Sequence, residues 1–165
     1  MIQTDRLTIK PATVGDAAFM LQLLNTPSWI TYIGDRNVHS VLESEQYLVT
    51  RLVGATPTKG CGIYTIFETE TQQPIGISSL VKRDYLEHID IGYALLPEYE
   101  GRGYAHEASV AVLDYAQNVL KSRKIVAITL KNHERSIQLL QKLGLVRIST
   151  FREDGEELYL FETKA

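Results

Sequence analysis

The sequence predicts a mixed α/β domain in which helices pack on one layer of sheet. Three observations predict it. Strand-like alternating segments and segments of helical period follow one another along the chain. Hydrophobic residues make up 44% of the 165 residues, enough for a sizeable core. Repeats, low-complexity tracts and linkers are not visible, so the length predicts one domain, 1–165.

Charge and cysteine content exclude several classes of function. Seventeen Lys and Arg against twenty Asp and Glu give a net charge of -3, which argues against a general binder of nucleic acid or anionic membrane. The single cysteine, Cys61, excludes an internal disulfide, and the four histidines lack metal-ligand spacing. The start shows no secretory signal, and no apolar run approaches about 20 residues. We expect a cytoplasmic protein without metal, nucleic-acid or membrane partners.

The first half of the chain predicts one strand and two helices. Thr13 is a candidate cap for the first helix, and Ser40 with Glu43 forms the pattern of a capping box at the second. Between them lies an aromatic-rich segment that we predict to be irregular, and a loop of that length typically lines a site or covers a core. The predicted segments are a strand over 6–11, a helix over 14–24, the irregular segment over 25–37 and a helix over 40–53.

The second half predicts two hairpins separated by a strand, a helix, another strand and another helix. The strand over 124–130 is apolar on both faces, which predicts a central position in the sheet. Asn132 is the candidate cap of the last helix, and Gly144 ends it. The predicted segments are a hairpin over 63–82, a strand over 88–96, a helix from the 98–103 loop to about 120, the strand over 124–130, a helix over 132–144 and a hairpin over 145–163.

The segment 95–108 is the first candidate site. A strand ends, a loop containing Gly101 and Gly103 turns, and a long helix begins. Glycines allow close approach of the backbone, and the free N–H groups of a helix start attract phosphate oxygens, with Arg102 as an additional cation. The alternative is a tight turn whose glycines serve only its geometry. The Walker lysine and the third glycine of the dinucleotide fingerprint are both missing.

Two further clusters contain polar residues at structured positions. Asn132 and Ser136 share a helix face with Leu140, although taken alone this favours a simple cap and a hydroxyl bonded to its own helix. On the 88–96 strand, Asp90 alternates with apolar neighbours, and Glu87 is better explained by a solvated sheet face.

Taken together, these segments resemble the GNAT superfamily of acetyl-CoA-dependent N-acetyltransferases, and within it the Rim-type ribosomal-protein N-terminal acetyltransferases and their relatives. The resemblance covers nearly the whole chain in order, and three ordered motifs are more specific than any one. The first motif is the opening strand, Thr4-Asp5-Arg6-Leu7-Thr8-Ile9-Lys10-Pro11. The second is the central signature, Asp90-Ile91-Gly92-Tyr93-Ala94-Leu95-Leu96-Pro97 followed by Gly101-Arg102-Gly103-Tyr104-Ala105 and Glu107-Ala108, and the third is the last helix, 132–144.

The resemblance implies a mixed, mostly antiparallel sheet with helices on both faces, splayed open beside the 88–96 strand, with acetyl-CoA in the opening. The backbone groups of Leu95 and Leu96 would hydrogen-bond the pantetheine arm, and the N–H of one of them would polarise the thioester carbonyl. Asn132 would contact the pantetheine, and Ser136 would protonate or hydrogen-bond the departing thiolate. The residues expected at the pyrophosphate are Gly101, Arg102, Gly103, Tyr104 and Ala105.

The implied reaction is direct attack of a primary amine on the thioester in a ternary complex, with no metal. The amine must be neutral, so a base acting through water is expected, and Asp90, Glu87 and His88 are the candidates. The acceptor is a protein N-terminal α-amine or a small-molecule amine. Relatives are often dimers, so a homodimer is also expected. The candidate walls of the acceptor pocket are Trp29, Tyr32, Tyr85 and Tyr159.

Two departures from the family pattern keep alternatives open. Glu100 stands where an aromatic residue, Gln or Arg is usual, and an acid beside a pyrophosphate would reduce cofactor affinity. Asp90 stands where Glu is common, and its shorter side chain makes direct catalytic contact less secure. A CoA-binding sensor or interaction domain with weak or no catalysis is therefore the second hypothesis, and a structural protein that kept only the fold is the third.

Overall fold

The computed structural model describes residues 1–164, which form one eight-stranded sheet in the order β1-β2-β3-β4-β5-β6-β8-β7. All neighbouring strands are antiparallel except β5 and β6, which are parallel. The mixed sheet of the prediction is confirmed. The strands are β1 Ile2–Gln3, β2 Leu7–Pro11, β3 Gly62–Glu68, β4 Pro74–Val81, β5 Ile89–Leu95, β6 Ile125–Leu130, β7 Leu145–Glu153 and β8 Glu156–Thr163.

Helices pack on both faces of this sheet. Along β3, Ile63 belongs to a buried cluster with helix α1 (Ala17–Leu24), whereas the next residue, Tyr64, belongs to a cluster with helix α4 (Tyr104–Asn118). Successive strand residues point to opposite faces, so the two clusters lie on opposite sides. No helix within residues 1–164 has the length and apolar character to span a membrane. The helices are α1 Ala17–Leu24, α2 Pro27–Tyr32, α3 Val41–Val49, α4 Tyr104–Asn118 and α5 Glu134–Lys142, with 3-10 turns at Val14–Asp16 and Pro97–Tyr99.

The prediction of an irregular 25–37 segment is wrong, because α2 lies within it. The Thr26 hydroxyl accepts a hydrogen bond from the Trp29 N–H, and Pro27 occupies the first helical turn. Both are helix-start signals, since a proline there sacrifices no helical hydrogen bond. The helix carries Trp29 and Tyr32 and covers one side of the site described below.

The three predicted caps have different outcomes, and Thr13 is the N-cap residue of the 3-10 turn Val14–Asp16 that leads into α1, as expected. The Ser40 hydroxyl accepts from the Glu43 N–H as expected, while the Glu43 carboxylate accepts from the N–H of His39 rather than that of Ser40. At α5 the prediction is wrong: His133 is the N-cap residue, with no side-chain cap. Asn132 lies one residue too early for its side chain to serve the first turn, and it is exposed.

The parallel seam between β5 and β6 positions the site. Only Ile89 with Ile125 and Asp90 with Val126 are paired, and the strands part beyond Asp90. The predicted opening beside the 88–96 strand is therefore confirmed. β6 is flanked by β5 and β8, as its two apolar faces predicted.

Candidate active site

The opening between β5 and β6 is a cleft of about 1290 Å³. One wall is formed by β5 and the loop before α4, and the other by β6 and the start of α5. Helix α2 contributes a third side. Of the residues predicted for the site, the cleft is lined by Trp29, Tyr32, Asp90, Leu95, Gly101, Gly103, Tyr104, Ala105 and Ser136.

The backbone of β5 presents hydrogen-bonding groups to this cleft. The N–H of Leu96 donates to the carbonyl of Ile75 at 2.8 Å, so it is occupied within the sheet. In an antiparallel ladder, alternate residues direct their backbone groups to the same neighbour. The backbone groups of Leu95 and Tyr93 therefore face the opening. Of the two predicted donors, Leu96 is already bonded, whereas the Leu95 N–H has no acceptor among residues 1–164.

The loop before α4 presents a row of N–H groups. Gly101 and Gly103 have φ values of 74° and 81°, a left-handed conformation that other residues rarely adopt. Within residues 1–164, the N–H groups of 101–106 have no hydrogen-bond acceptor, and no side chain caps α4. Free N–H groups at a helix start bind anions. Arg102 lies outside the cleft, with its guanidinium carbon 5.6 Å from the centre of the Tyr99 ring.

Glu100 is paired across the mouth of the cleft. Its carboxylate accepts a hydrogen bond from Nη1 of Arg135, in the first turn of α5, at 2.7 Å. Both residues line the cleft, so the ion pair connects its two walls. The charge that the sequence placed unfavourably beside a pyrophosphate thus has a cationic partner.

The start of α5 brings Ser136 and His133 into the cleft. Ser136 is buried, and its hydroxyl lies beside the phenol of Tyr93. Burial raises the Tyr93 pKa, and the Ser136 hydroxyl partly offsets that rise. The His133 ring stacks on Tyr32, with centroids 3.8 Å apart and planes 9° apart. Burial and then the charge of Arg135 lower the His133 pKa, so its imidazole is neutral at neutral pH.

Asp90 is the buried acid of the site. It is 4% exposed and sits at the last paired position before the strands part. Its carboxylate accepts from Arg83 Nε at 2.8 Å, and the N–H of Ile128 also favours the charged form. Burial outweighs both and raises the Asp90 pKa to about 6. A carboxyl group with that pKa changes protonation near neutral pH.

The other predicted bases lie elsewhere. Glu87 has an 89% exposed side chain, and with His88 it lines a separate, smaller depression. Neither reaches the cleft between β5 and β6. Asp90 is thus the one member of the predicted trio that faces the cleft.

The predicted acceptor walls are only partly brought together. Trp29 is buried at the cleft, and its indole N–H has no partner within residues 1–164. Tyr85 is exposed and outside the cleft lining, but its hydroxyl donates to Glu153, which lines the cleft. Tyr159 lies outside the lining and packs on Phe161.

Four residues at the site were not singled out from the sequence. Tyr93 lies on β5 two residues before Leu95, so its backbone groups face the same side as those of Leu95, but this alternation does not reveal where its phenol lies. His133 was passed over because Asn132 took the capping role. Arg83 and Arg135 act through ion pairs with Asp90 and Glu100, and sequence spacing does not reveal such pairs.

Comparisons with known proteins identify the family of the chain. Residues 6–146 match the model of the acetyltransferase (GNAT) domain family. An uncharacterised N-acetyltransferase of Bacillus subtilis, YoaA, is 25% identical over 155 residues, 93% of this chain and 86% of that protein. Spermidine N(1)-acetyltransferase of Escherichia coli K12 is 30% identical over 87 residues, 52% of this chain and 44% of that protein.

The fold also matches solved structures. The ribosomal-protein-S5-alanine acetyltransferase of Vibrio fischeri superimposes with a TM-score of 0.83 at 18% identity, covering 98% of this chain and 94% of that one. At that identity the likeness concerns the fold. The match to the family model extends from β2 to the first two residues of β7 and includes β5, β6 and the glycine loop. The chain belongs to the GNAT family of acetyltransferases.

Proposed function

We propose that this protein transfers an acetyl group from acetyl-CoA to a primary amine, by direct attack within a ternary complex. The observation that carries the proposal is the sheet opening, which has free backbone groups along β5 and a row of unpartnered N–H groups at 101–106. Its shape suits a long ligand with an anionic end. We also propose a cytoplasmic location and a homodimer from the family resemblance; a solution mass of 18.6 kDa would refute the dimer.

The donor groups of the cleft fit coenzyme A. The N–H groups of Gly101, Gly103 and the first turn of α4 would hold the pyrophosphate, because a helix start favours negative charge. Bound acetyl-CoA supplies a thioester that is already activated, so a nucleophilic side chain is unnecessary. The Leu95 N–H would hydrogen-bond the carbonyl oxygen and stabilise negative charge there.

We assign two side chains to the leaving thiolate. Ser136 faces the cleft beside Tyr93, and either hydroxyl could supply the hydrogen bond or proton that a thiolate needs. Ser136 is the first choice, and Tyr93 would orient it. Asn132, predicted to contact the pantetheine, is exposed and outside the cleft lining, so it has no part in this proposal.

Asp90 is the proposed base. Its pKa of about 6 means that it is mostly ionised at neutral pH, yet basic enough to accept a proton through a water molecule. Arg83 holds the carboxylate in place at 2.8 Å.

The proposed acceptor is a molecule with a net positive charge whose reacting primary amine is neutral. Three acidic residues of the closing hairpin, Glu153, Asp154 and Glu156, line the cleft, and Glu153 is close enough to Asp90 to affect its pKa. Negative charge there would attract cationic amines. The relatives named above act on spermidine and on a ribosomal protein, so a polyamine and a protein N-terminus are the two candidates to compare.

Calorimetric titration with acetyl-CoA tests the proposal. We expect micromolar binding that is lost in Gly103→Pro, because proline removes an N–H and cannot adopt a φ of 81°. Gly54→Pro is the matched control, since Gly54 also has a positive φ of 92° but lies outside the cleft lining. Absence of binding to the wild type would refute the proposal.

A turnover assay then separates the proposal from its alternative. Spermidine and a peptide with a free N-terminal alanine are supplied with acetyl-CoA, and free thiol is measured. Acetylation of either amine supports the transferase. Tight binding of acetyl-CoA without turnover of any amine in a broader panel would favour the CoA-binding domain without catalysis.

A further inference from the structure

We infer that Arg6, held by Glu107, is a positioning residue that directs the N–H of Gly103 into the cleft. The inference rests on the proposed function, because it concerns the loop that would hold the pyrophosphate. Arg6 lies outside the cleft lining, whereas Gly101 and Gly103 of this loop belong to it. Its role would thus be exerted through the backbone rather than through contact with a ligand.

Arg6 is fixed by a dense set of contacts with Glu107, in the first turn of α4. Its Nε donates to one carboxylate oxygen at 2.7 Å, and its backbone N–H donates to the other at 2.9 Å. The Thr4 hydroxyl donates to that second oxygen at 2.6 Å. Burial raises the Glu107 pKa, but the hydrogen bonds from Thr4 and Arg6 outweigh it, so the net pKa is lowered and Glu107 is ionised. The segment around Arg6 is thereby attached to the start of α4.

The same guanidinium reaches the loop itself. Arg6 Nη1 donates to the carbonyl oxygen of Arg102 at 3.0 Å. The peptide bond between Arg102 and Gly103 is trans, because residues 1–164 contain no cis peptide. In a trans peptide the C=O and the following N–H point in opposite directions. Holding the Arg102 carbonyl toward Arg6 therefore points the Gly103 N–H away from Arg6, toward the cleft that Gly103 lines.

The residue after Gly103 is held from the same side. The Arg6 guanidinium carbon lies 4.3 Å from the centre of the Tyr104 ring, and the Tyr104 hydroxyl donates to Glu68 on β3 at 2.6 Å. A Cβ atom placed on Gly103 would lie 3.4 Å from Arg6 Nη2. Arg6 thus contacts or closely approaches three consecutive residues, the last two of the loop and the first of α4. Its planar fork serves Glu107 and the Arg102 carbonyl simultaneously, which a lysine ammonium cannot do with the same geometry.

The test compares Arg6→Gln and Arg6→Lys with a matched ion-pair control. Lys124→Gln breaks a pair of similar length, 2.8 Å, between Lys124, which directly precedes β6, and Glu162 of β8, both away from the loop. Each variant is titrated with CoA and with pantetheine, which lacks the pyrophosphate, and thermal unfolding confirms that it is folded. We expect Arg6→Gln to weaken CoA binding about tenfold, because that is roughly the effect of losing one hydrogen bond to a charged group. The CoA affinity of Arg6→Lys should lie between those of Arg6→Gln and the wild type, and the CoA affinity of Lys124→Gln should equal that of the wild type.

The pantetheine titration separates positioning from general structural damage. If Arg6 orients the pyrophosphate-binding amide, pantetheine affinity is unchanged in Arg6→Gln while CoA affinity falls. Equal losses for both ligands, or an unchanged CoA affinity, would overturn the inference. A wild-type protein that does not bind CoA would refute the proposed function and this inference with it. Wild-type binding that Arg6→Gln leaves intact would refute the inference alone.

Discussion

The ion pair between Glu100 and Arg135 leads to a prediction about cofactor affinity. Removing the Arg135 charge leaves the Glu100 carboxylate uncompensated beside the proposed pyrophosphate site. The two side chains are 71% and 32% exposed for Arg135 and Glu100, so the pair itself contributes less than about 1 kcal/mol to folding. We therefore expect Arg135→Gln to fold normally and to change ligand binding.

The size of the effect follows from Coulomb's law. Two unit charges about 4 Å apart interact by about 1 kcal/mol in water and about 4 kcal/mol at a dielectric constant near 20. Because Glu100 is partly exposed, its repulsion of a bound pyrophosphate should amount to about 1 to 2 kcal/mol. Arg135→Gln should weaken CoA binding about five- to thirtyfold. Glu100→Gln should strengthen it by a smaller factor, and the double variant should lie close to the wild type.

Calorimetry at low and high salt is the assay. The difference between Arg135→Gln and the wild type should shrink at about 1 M salt, because screening at that concentration acts within about 3 Å. Affinities that stay within about twofold of the wild type at low salt, for both single variants, would refute the reasoning. They would mean that Glu100 is too far from the bound anion to affect it.

Three further predictions concern the rest of the cleft. The Asp90 pKa is raised from 3.8 to about 6, so its contribution to stability is complete below pH 3.8 and is lost as the pH rises through 6. In urea unfolding, the free energy of unfolding of the wild type should fall by about 3 kcal/mol relative to that of Asp90→Asn over that pH range. Parallel plots of the free energy of unfolding against pH for the two proteins would contradict this. Tyr32→Ala should lower stability by about 1 kcal/mol through loss of the His133 stack, whereas Tyr32→Phe should not, as thermal unfolding would show. Ser136→Ala should lower kcat about a hundredfold while CoA affinity is kept, and an unchanged kcat would exclude Ser136 as the proton donor.

Much of this fold is predictable because local patterns agree with the tertiary structure. The apolar 124–130 segment predicted a central strand, and the hairpin predicted over 145–163 is present, with its turn at Asp154 and Gly155, both of which have positive φ. Helix α2 was missed because its aromatic composition outweighed the start signal at Thr26 and Pro27. A short helix of six residues also carries too little periodicity to be recognised.

The site was less predictable than the fold, for two physical reasons. A shift of one residue at a helix start exchanges the side chain that faces the cleft, and so His133 takes the place expected for Asn132. The charges of Glu100 and Asp90 depend on partners that only the folded chain brings near. Arg135 is 35 residues from Glu100 in sequence, and no local pattern connects them.

The short seam between β5 and β6 has a mechanical consequence. It divides the sheet into a five-strand part, β1 to β5, and a three-strand part, β6 to β8, joined along the backbone by two residue pairs. Beyond Asp90, the cleft-facing amides of Tyr93 and Leu95 have no strand opposite them. Local opening of the two parts therefore breaks few hydrogen bonds, and amide exchange in this region should be faster than in the paired β3–β4 hairpin. A ligand seated in the opening joins the two parts and slows that exchange.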